Sequence, residues 1–408
     1  MTAPINAAAV AALSDEPLDW RFKGIPASWW GRSTREVCAQ APRLLHDRGL
    51  ADGAVGPLGV LRADALTGNL DTMARWCREH DVELAPHVKT HMAPQLMARQ
   101  LAAGACALTV ATISQVRTLR AFGVRDVVLA NQLVDPVALG WLAVELDADA
   151  DFSFVCWVDS PRGVETMTRA LTDAGADRAV DVCVEVGMAG GRTGCRTPED
   201  LDAVARAVLA SPRLRLVGVA GYEAALSHDE PGEARAYLKA VRAAAARLAP
   251  LVEIDRPVVT AGGSSYFDVV AEELAGPWRT ILRSGCYLTH DVGLYARTSP
   301  LRAELRPALS VWAQVLSCPE PGLALVGMGR RDVSFDQGLP VPRRLPDSRV
   351  TRLNDQHAYL MLGAAERVEV GDWLEFGISH PCTTFDKWQL IPMVDEQGRV
   401  VDLIRTFF

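Results

Sequence analysis

Between residues 82 and 286 eight short runs rich in Val, Leu and Ala alternate with segments of helical period, and this repeat limits the fold more than any other feature of the chain. The runs are "VELAPHVK" (82–89), "GACALTVAT" (104–112), "VRDVVLANQ" (124–132), "FSFVCWVDS" (152–160), "AVDVCVEVG" (179–187), "LRLVGVAGY" (214–222), "RPVVTAGGS" (256–264) and "RTILRSGC" (279–286). Helix candidates such as "ISQVRTLRAFG" and "TPEDLDAVARAVLA" lie between them. Each run reads as a strand and each intervening segment as its crossover helix. Eight such units predict an α/β fold, a (β/α)8 TIM barrel.

The chain has 408 residues, more than one core usually holds, so a second domain is expected. After residue 286 the helical period stops. Segments such as "LRPALSVWAQVLSC", "GLALVGMG", "GDWLEFGI" and "QLIPMVD", separated by Gly, Pro and Asp turns, predict a mainly β domain. The division expected is an N-terminal extension over 1–56, partly packing with the β domain, a barrel over 57–286 and a β domain over 287–408. Residues 56–81 supply a lead-in strand and an amphipathic helix to the barrel.

A net charge of −8 gives no reason to expect nucleic acid or an anionic membrane as a partner, which leaves a small molecule. The nine cysteines are scattered without a CxxC pair, which favours buried thiols in a reducing compartment over a disulfide framework. No run approaches ~18 apolar residues, and the alanine-rich start has no basic residue ahead of its apolar stretch. A cytoplasmic protein is the expectation.

Of the 42 basic residues only four are lysines, at 23, 89, 239 and 387. Arginine carries a permanent charge, whereas a desolvated lysine can lose its proton and attack a carbonyl. Lys23 and Lys239 read as solvated surface residues. Lys89 ends the first barrel strand, the rim where barrels place their chemistry, and also fits a simple strand-end salt bridge. If the strand continues, His87, Lys89 and His91 share one face and an imidazole can tune the amine.

At the end of the seventh run, "VVTAGGSSYFD" brings Gly262, Gly263, Ser264 and Ser265 together. Glycine lets backbone N–H groups approach an anion, serine adds hydroxyl donors, and barrel phosphate sites are commonly built after strands seven and eight. The eighth run ends in "SGCYLTHD", which adds Gly285 and Tyr287 to the same rim. A carbonyl-capturing lysine with a phosphate cradle suggests pyridoxal 5′-phosphate, an electron sink for carbanions.

The set "PHVKTH", "ATISQV", "VGMAGGRTG", "TAGGSSYFD" and "SGCYLTHD" resembles the fold-type III pyridoxal-phosphate enzymes with an alanine-racemase-like barrel, in the D-serine dehydratase and D-threonine aldolase group, over about residues 56–390. The resemblance implies that Lys89 bonds the cofactor and that Gly262, Gly263 and Ser264 hold its phosphate. It places Arg192 and Tyr222 near the cofactor ring, and His87 and Tyr287 join the expected cofactor-binding residues by their position at the same rim. "GMAGGRTG" is longer than the family's Gly-x-Gly-Arg-x-Gly form.

In "FGISHPCTTFDKW", His380 and Cys382 are two apart, so in an extended segment both side chains point the same way. Imidazole with thiolate suits zinc, with Mn2+ or Mg2+ as alternatives, although a structural cysteine beside a turn histidine has the same pattern. The family resemblance implies a His-x-Cys metal pair here. It compares His357 with a Glu-His stretch near the metal, with Gln356 in the acid's place, and leaves Asp332, Asp336 and His91 without a role.

The activity implied is a pyridoxal-phosphate and metal-dependent dehydratase that converts a β-hydroxy D-amino acid, such as D-serine or D-threonine, to a 2-oxo acid and ammonia. The alternatives are aldol cleavage to glycine and an aldehyde, an amino acid racemase, or a non-catalytic cofactor carrier. The resemblance also implies a homodimer.

Overall fold

The computed structural model describes residues 3–46, 49–51, 53–224 and 230–408. Residues 1–2, 47–48 and 52 of the expected N-terminal extension lie outside them. The chain forms two compact units, and neither is a simple run of sequence.

The first unit comprises Ala74–Lys89 and Gln100–Gly285 with the N-terminal residues up to Asn6. It contains all eight expected strands: β1 (Glu83–Leu84), β2 (Leu108–Val110), β3 (Asp126–Gln132), β4 (Ser153–Val158), β5 (Val180–Glu185), β6 (Leu214–Ala220), β7 (Val258–Ala261) and β8 (Arg279–Leu282). They are parallel in the order β1-β8-β7-β6-β5-β4-β3-β2. A parallel bridge between His87 and Thr109 joins β1 to β2 and completes the ring, and the Thr109 hydroxyl donates to the Ala85 carbonyl at 2.6 Å. The interior packs Val128, Trp157, Cys183, Val217 and Ile281 into one apolar cluster, so this is a filled barrel and not a pore.

Local signals set where the crossover helices begin. Asp135, Ser160 and Thr197 each accept a backbone N–H of the following helix, and Pro136, Pro161 and Pro198 occupy the first helical position, where a missing N–H costs nothing. Thr112 caps Ile113–Ala121 in the same way, without the proline.

The second unit comprises Ala7–Met73, Thr90–Arg99 and Cys286–Phe408. Its sheet runs Arg349–Leu353, Ala358–Met361, Leu323–Val326, Leu309–Glu320, Leu58–Arg62, Leu390–Val394 and Val400–Arg405, and Trp373–Gly377 also pairs with Leu309–Glu320. The β segments expected after residue 286 are therefore present. Leu58–Arg62 is not a lead-in to the barrel. It sits in the middle of this sheet, antiparallel to Leu309–Glu320 and parallel to Leu390–Val394. Leu58, Val60 and Leu61 are fully buried there, and a strand apolar on both faces belongs inside a sheet. Among the described residues no helix is long and apolar enough to cross a membrane.

Candidate functional site

In the first unit the chain leaves the ladder before Lys89. Pro86 follows Ala85, His87 makes the last bridge, and Val88–Thr90 form a 3-10 turn that carries Lys89. Proline has no N–H to donate, so a regular strand ends early here. His87, Lys89 and His91 consequently do not share a strand face. His91 lies in the second unit, fully buried, where its Nδ1 accepts the Ala93 N–H at 3.0 Å and its ring meets Phe385 edge-on. Lys89 is exposed and not desolvated.

His87 is held well below the usual imidazole range. Burial is the largest cause, followed by the positive charges of Lys89, Arg283 and Arg192. A neutral imidazole is therefore the stable form, and its Nδ1 is buried without a hydrogen-bond partner among the described residues. Arg192, exposed in the loop after β5, lies 4.6 Å over the Tyr222 ring. The Tyr222 N–H donates to the Tyr237 hydroxyl at 3.0 Å, and that hydroxyl donates to the Val186 carbonyl at 2.6 Å, which pins the end of β6 to the end of β5.

The loop after β7 presents two consecutive N–H groups to one anion. Gly262 has φ +94°, a conformation that side chains rarely adopt, and a Cβ on Gly263 would come within 3.2 Å of the Tyr222 ring. The Gly262 N–H donates to Glu223 Oε2 at 2.9 Å and the Gly263 N–H donates to Oε1 at 2.6 Å. Ser264 is buried beside them, and the Ser284 hydroxyl donates to the Gly263 carbonyl at 2.7 Å. Backbone donors that already hold a carboxylate are chemically suited to phosphate oxygens. With the unpartnered His87 nitrogen, the residues present fit pyridoxal phosphate. Arg283, buried, braces the loop's base by donating to Thr260 Oγ1 and the Gly221 carbonyl, each at 2.6 Å.

The second unit brings His380 and Cys382 together, but not as an extended pair. Pro381 is α-helical at φ −60°, ψ −39°, and Cys382–Phe385 form one helical turn. Cys286 joins them, so the ligand atoms of Cys286, His380 and Cys382 all lie within 4.8 Å of one another. The Cys286 and Cys382 sulfurs are 3.5 Å apart, and the Thr90 hydroxyl lies 3.3 Å from Cys382 Sγ. Hydrogen bonding from Cys286, opposed by burial and aided by His380, draws Cys382 well below the usual thiol range, so a thiolate is its favoured form. Burial opposes a charge on His380, yet its hydrogen bonds to Asp336 and Cys382 push it up to about 10. The same contact and a bond from Thr383 outweigh burial at Asp336 and bring it down to about 2. Two sulfurs and an imidazole form a donor set that fits a divalent metal.

Sequence reasoning missed Cys286, which was passed over between Gly285 and Tyr287, and it left Asp336 unassigned. Asp336 takes His380 Nδ1 at 2.6 Å and the Thr383 hydroxyl at 2.6 Å. Asp332, also left without a role, is buried and receives the Lys23 ammonium at 2.9 Å and the Gln356 amide at 2.7 Å. Lys23 is exposed, as expected, but engaged: its ammonium also lies 3.8 Å over the Trp388 ring. His357 is exposed and outside the Cys-His cluster, and Tyr287 is buried in the turn Cys286–Leu288.

Residues 61–291 match the family described as "Alanine racemase, N-terminal domain", and residues 308–394 match "Putative serine dehydratase domain". The chain is 31% identical to the D-threonine aldolase of Arthrobacter sp. over 81% of its own length and 86% of that protein's. It is 27% identical to the D-threo-3-hydroxyaspartate dehydratase of Delftia sp. over 80% of its length and 91% of that protein's. Among solved structures, the D-threonine aldolase of Filomicrobium marinum superposes with a TM-score of 0.76 at 27% identity, covering 88% of this chain and 98% of that one.

Proposed function

We propose that this chain, which belongs to the alanine-racemase-like, fold-type III family of pyridoxal-phosphate enzymes and is a lyase, removes water from a β-hydroxy D-amino acid to give a 2-oxo acid and ammonia. The observation that carries the dehydratase reading is the Cys286–His380–Cys382 cluster, a donor set for a metal that can engage a β-hydroxyl.

In this reading Lys89 holds pyridoxal phosphate through its amine. Gly262, Gly263 and Ser264 hold the phosphate, and His87, Arg192, Tyr222 and Tyr287 serve the ring. Cys286, His380 and Cys382 hold the metal, and two sulfur donors favour zinc over magnesium. When bound, the cofactor supplies an electron sink for charge at Cα and the metal supplies Lewis acidity toward hydroxide as it departs. The protein's own residues supply the rest. Lys89 Nζ takes the Cα proton. The His87 ring, held neutral by burial and by the charges around it, adds no further positive charge to this end of the barrel. Asp336 fixes the His380 ring through Nδ1, which leaves Nε2 as the ligand atom.

A second reading, aldol cleavage to glycine and an aldehyde, is favoured by the 31% identity to the Arthrobacter aldolase. The two separate on products. Purified enzyme given D-serine, D-threonine and D-threo-3-hydroxyaspartate should release ammonia and 2-oxo acid in equal amounts. Glycine as the main product decides for the aldolase.

A homodimer belongs to the same reading, with a second copy covering the exposed Lys89; a fully active monomer in sedimentation would sink that part. The nine free thiols support a reducing, cytoplasmic setting.

A further inference from the structure

We propose that Glu223 is the internal occupant of the cofactor's phosphate site: its carboxylate sits on the Gly262 and Gly263 N–H pair and has to leave when the phosphate arrives. The inference rests on the pyridoxal-phosphate reading and adds to it a competitor supplied by the protein itself.

Three observations carry it. Both Glu223 oxygens are engaged, one on each glycine N–H, at 2.9 and 2.6 Å, so the pair has no donor to spare. Glu223 is only 3% exposed, and its carboxylate lies inside the barrel end and not on a solvated loop. The cradle is also built for close approach: Gly262 is in a left-handed conformation, and a side chain on Gly263 would press on Tyr222, the residue before Glu223.

A carboxylate and a phosphate dianion cannot share these donors. Each N–H has one hydrogen to give, and two anions at hydrogen-bonding distance of the same pair repel strongly in a buried site. The buried cation that Glu223 acts on, Arg283, is already committed to Thr260 and Gly221 and also serves Glu185, so it does not neutralise a second anion. Phosphate binding is therefore an exchange. Glu223 keeps the cradle assembled until the cofactor comes, and it lowers the affinity that the phosphate contributes.

The test compares pyridoxal phosphate with pyridoxal, which has the same aldehyde but no phosphate, on the full chain stripped of cofactor. Dissociation constants come from visible absorbance for the wild type, Glu223→Gln and Glu223→Asp. Glutamine keeps the shape without the charge, and aspartate keeps the charge but falls short of the glycines. The pyridoxal-to-pyridoxal-phosphate ratio of constants should rise about tenfold or more in both variants, the worth of a charge-assisted pair. Pyridoxal's own constant should move less than about twofold. A ratio that is unchanged or lower overturns the exchange and makes Glu223 a permanent strut of the loop.

The wild type offers a check that needs no substitution. The observed loading rate should plateau with pyridoxal phosphate, limited by carboxylate departure, while the rate with pyridoxal keeps rising; a common plateau overturns the proposal. If neither aldehyde gives a visible band in the wild type, the cofactor reading itself is wrong and this inference goes with it. A band with a flat ratio removes only the role of Glu223.

Discussion

Asp336 Oδ2 lies 2.6 Å from His380 Nδ1, and the Thr383 hydroxyl holds the other carboxylate oxygen at the same distance. In the proposed metal site the contact would fix which ring nitrogen faces the cysteines and raise its basicity as a ligand. Asp336→Asn should weaken metal binding by about 10- to 100-fold, the usual effect of losing a partner behind a metal ligand. Chelator competition followed by metal analysis measures it. The visible band of the bound cofactor should survive, because Asp336 contacts none of the residues assigned to it. A variant that keeps full metal affinity would remove the orienting role.

Cys286 distinguishes a three-ligand site from a two-ligand one. Its sulfur lies 3.5 Å from Cys382 Sγ, near enough for both to reach one ion. Cys286→Ser should lower zinc affinity roughly tenfold or more and shift preference from zinc toward magnesium, since a hydroxyl is a harder donor. Unchanged affinity in the variant would show that His380 and Cys382 bind alone and that Cys286 is a neighbour only.

Much of this architecture was legible because barrel strands announce themselves locally. Each of β1 to β8 is a short apolar run, and those of β2 to β5 have a capped helix behind them, so both signals act within a dozen residues. Leu58–Arg62 read just as clearly as a strand, but its place depended on partners near residues 309–320 and 390–394, which no local pattern encodes. Cys286 was hidden for the same reason, since the His380 and Cys382 side chains it joins come from a distant turn. Glu223 escaped notice because a single acid after a strand is ordinary until a loop from elsewhere folds onto it. The exposure of Lys89 followed from one residue, Pro86, which ended the strand earlier than the apolar run suggested.

Lys89→Ala should abolish the visible absorbance of the bound cofactor, because no other lysine of the chain lies in the first unit except Lys239, which is exposed on a helix. Spectra of the purified variant, before and after added pyridoxal phosphate, measure this. Turnover should fall by at least about 10²-fold, since the same amine is the proposed proton acceptor. A variant that retains the band would move the covalent assignment to another amine.

The ion pair between Glu83 of β1 and Arg279 of β8 should make barrel stability depend on pH. Arg279 donates from Nε to Glu83 Oε1 at 2.8 Å and from Nη2 to Oε2 at 2.6 Å, tying together two adjacent strands of the ring. That hydrogen bonding, opposed by partial burial, holds the Glu83 carboxyl below its ordinary value. A depressed carboxyl contributes stability at pH values above that of the unfolded chain, about 4.3, and loses it as pH falls through the lower folded value. Both side chains are over a third exposed, at 37% and 36%, so solvent screening limits the pair to about 1 kcal/mol. Glu83→Gln should therefore lower denaturant resistance at pH 7, with the gap to wild type closing as pH is taken from 4 toward 3. The gap should also narrow in high salt, because much of the pair faces solvent. Denaturant titrations at pH 7 and pH 3 measure it, and an equal gap at both would show that the two strands are joined there by packing and neutral hydrogen bonds instead of charge.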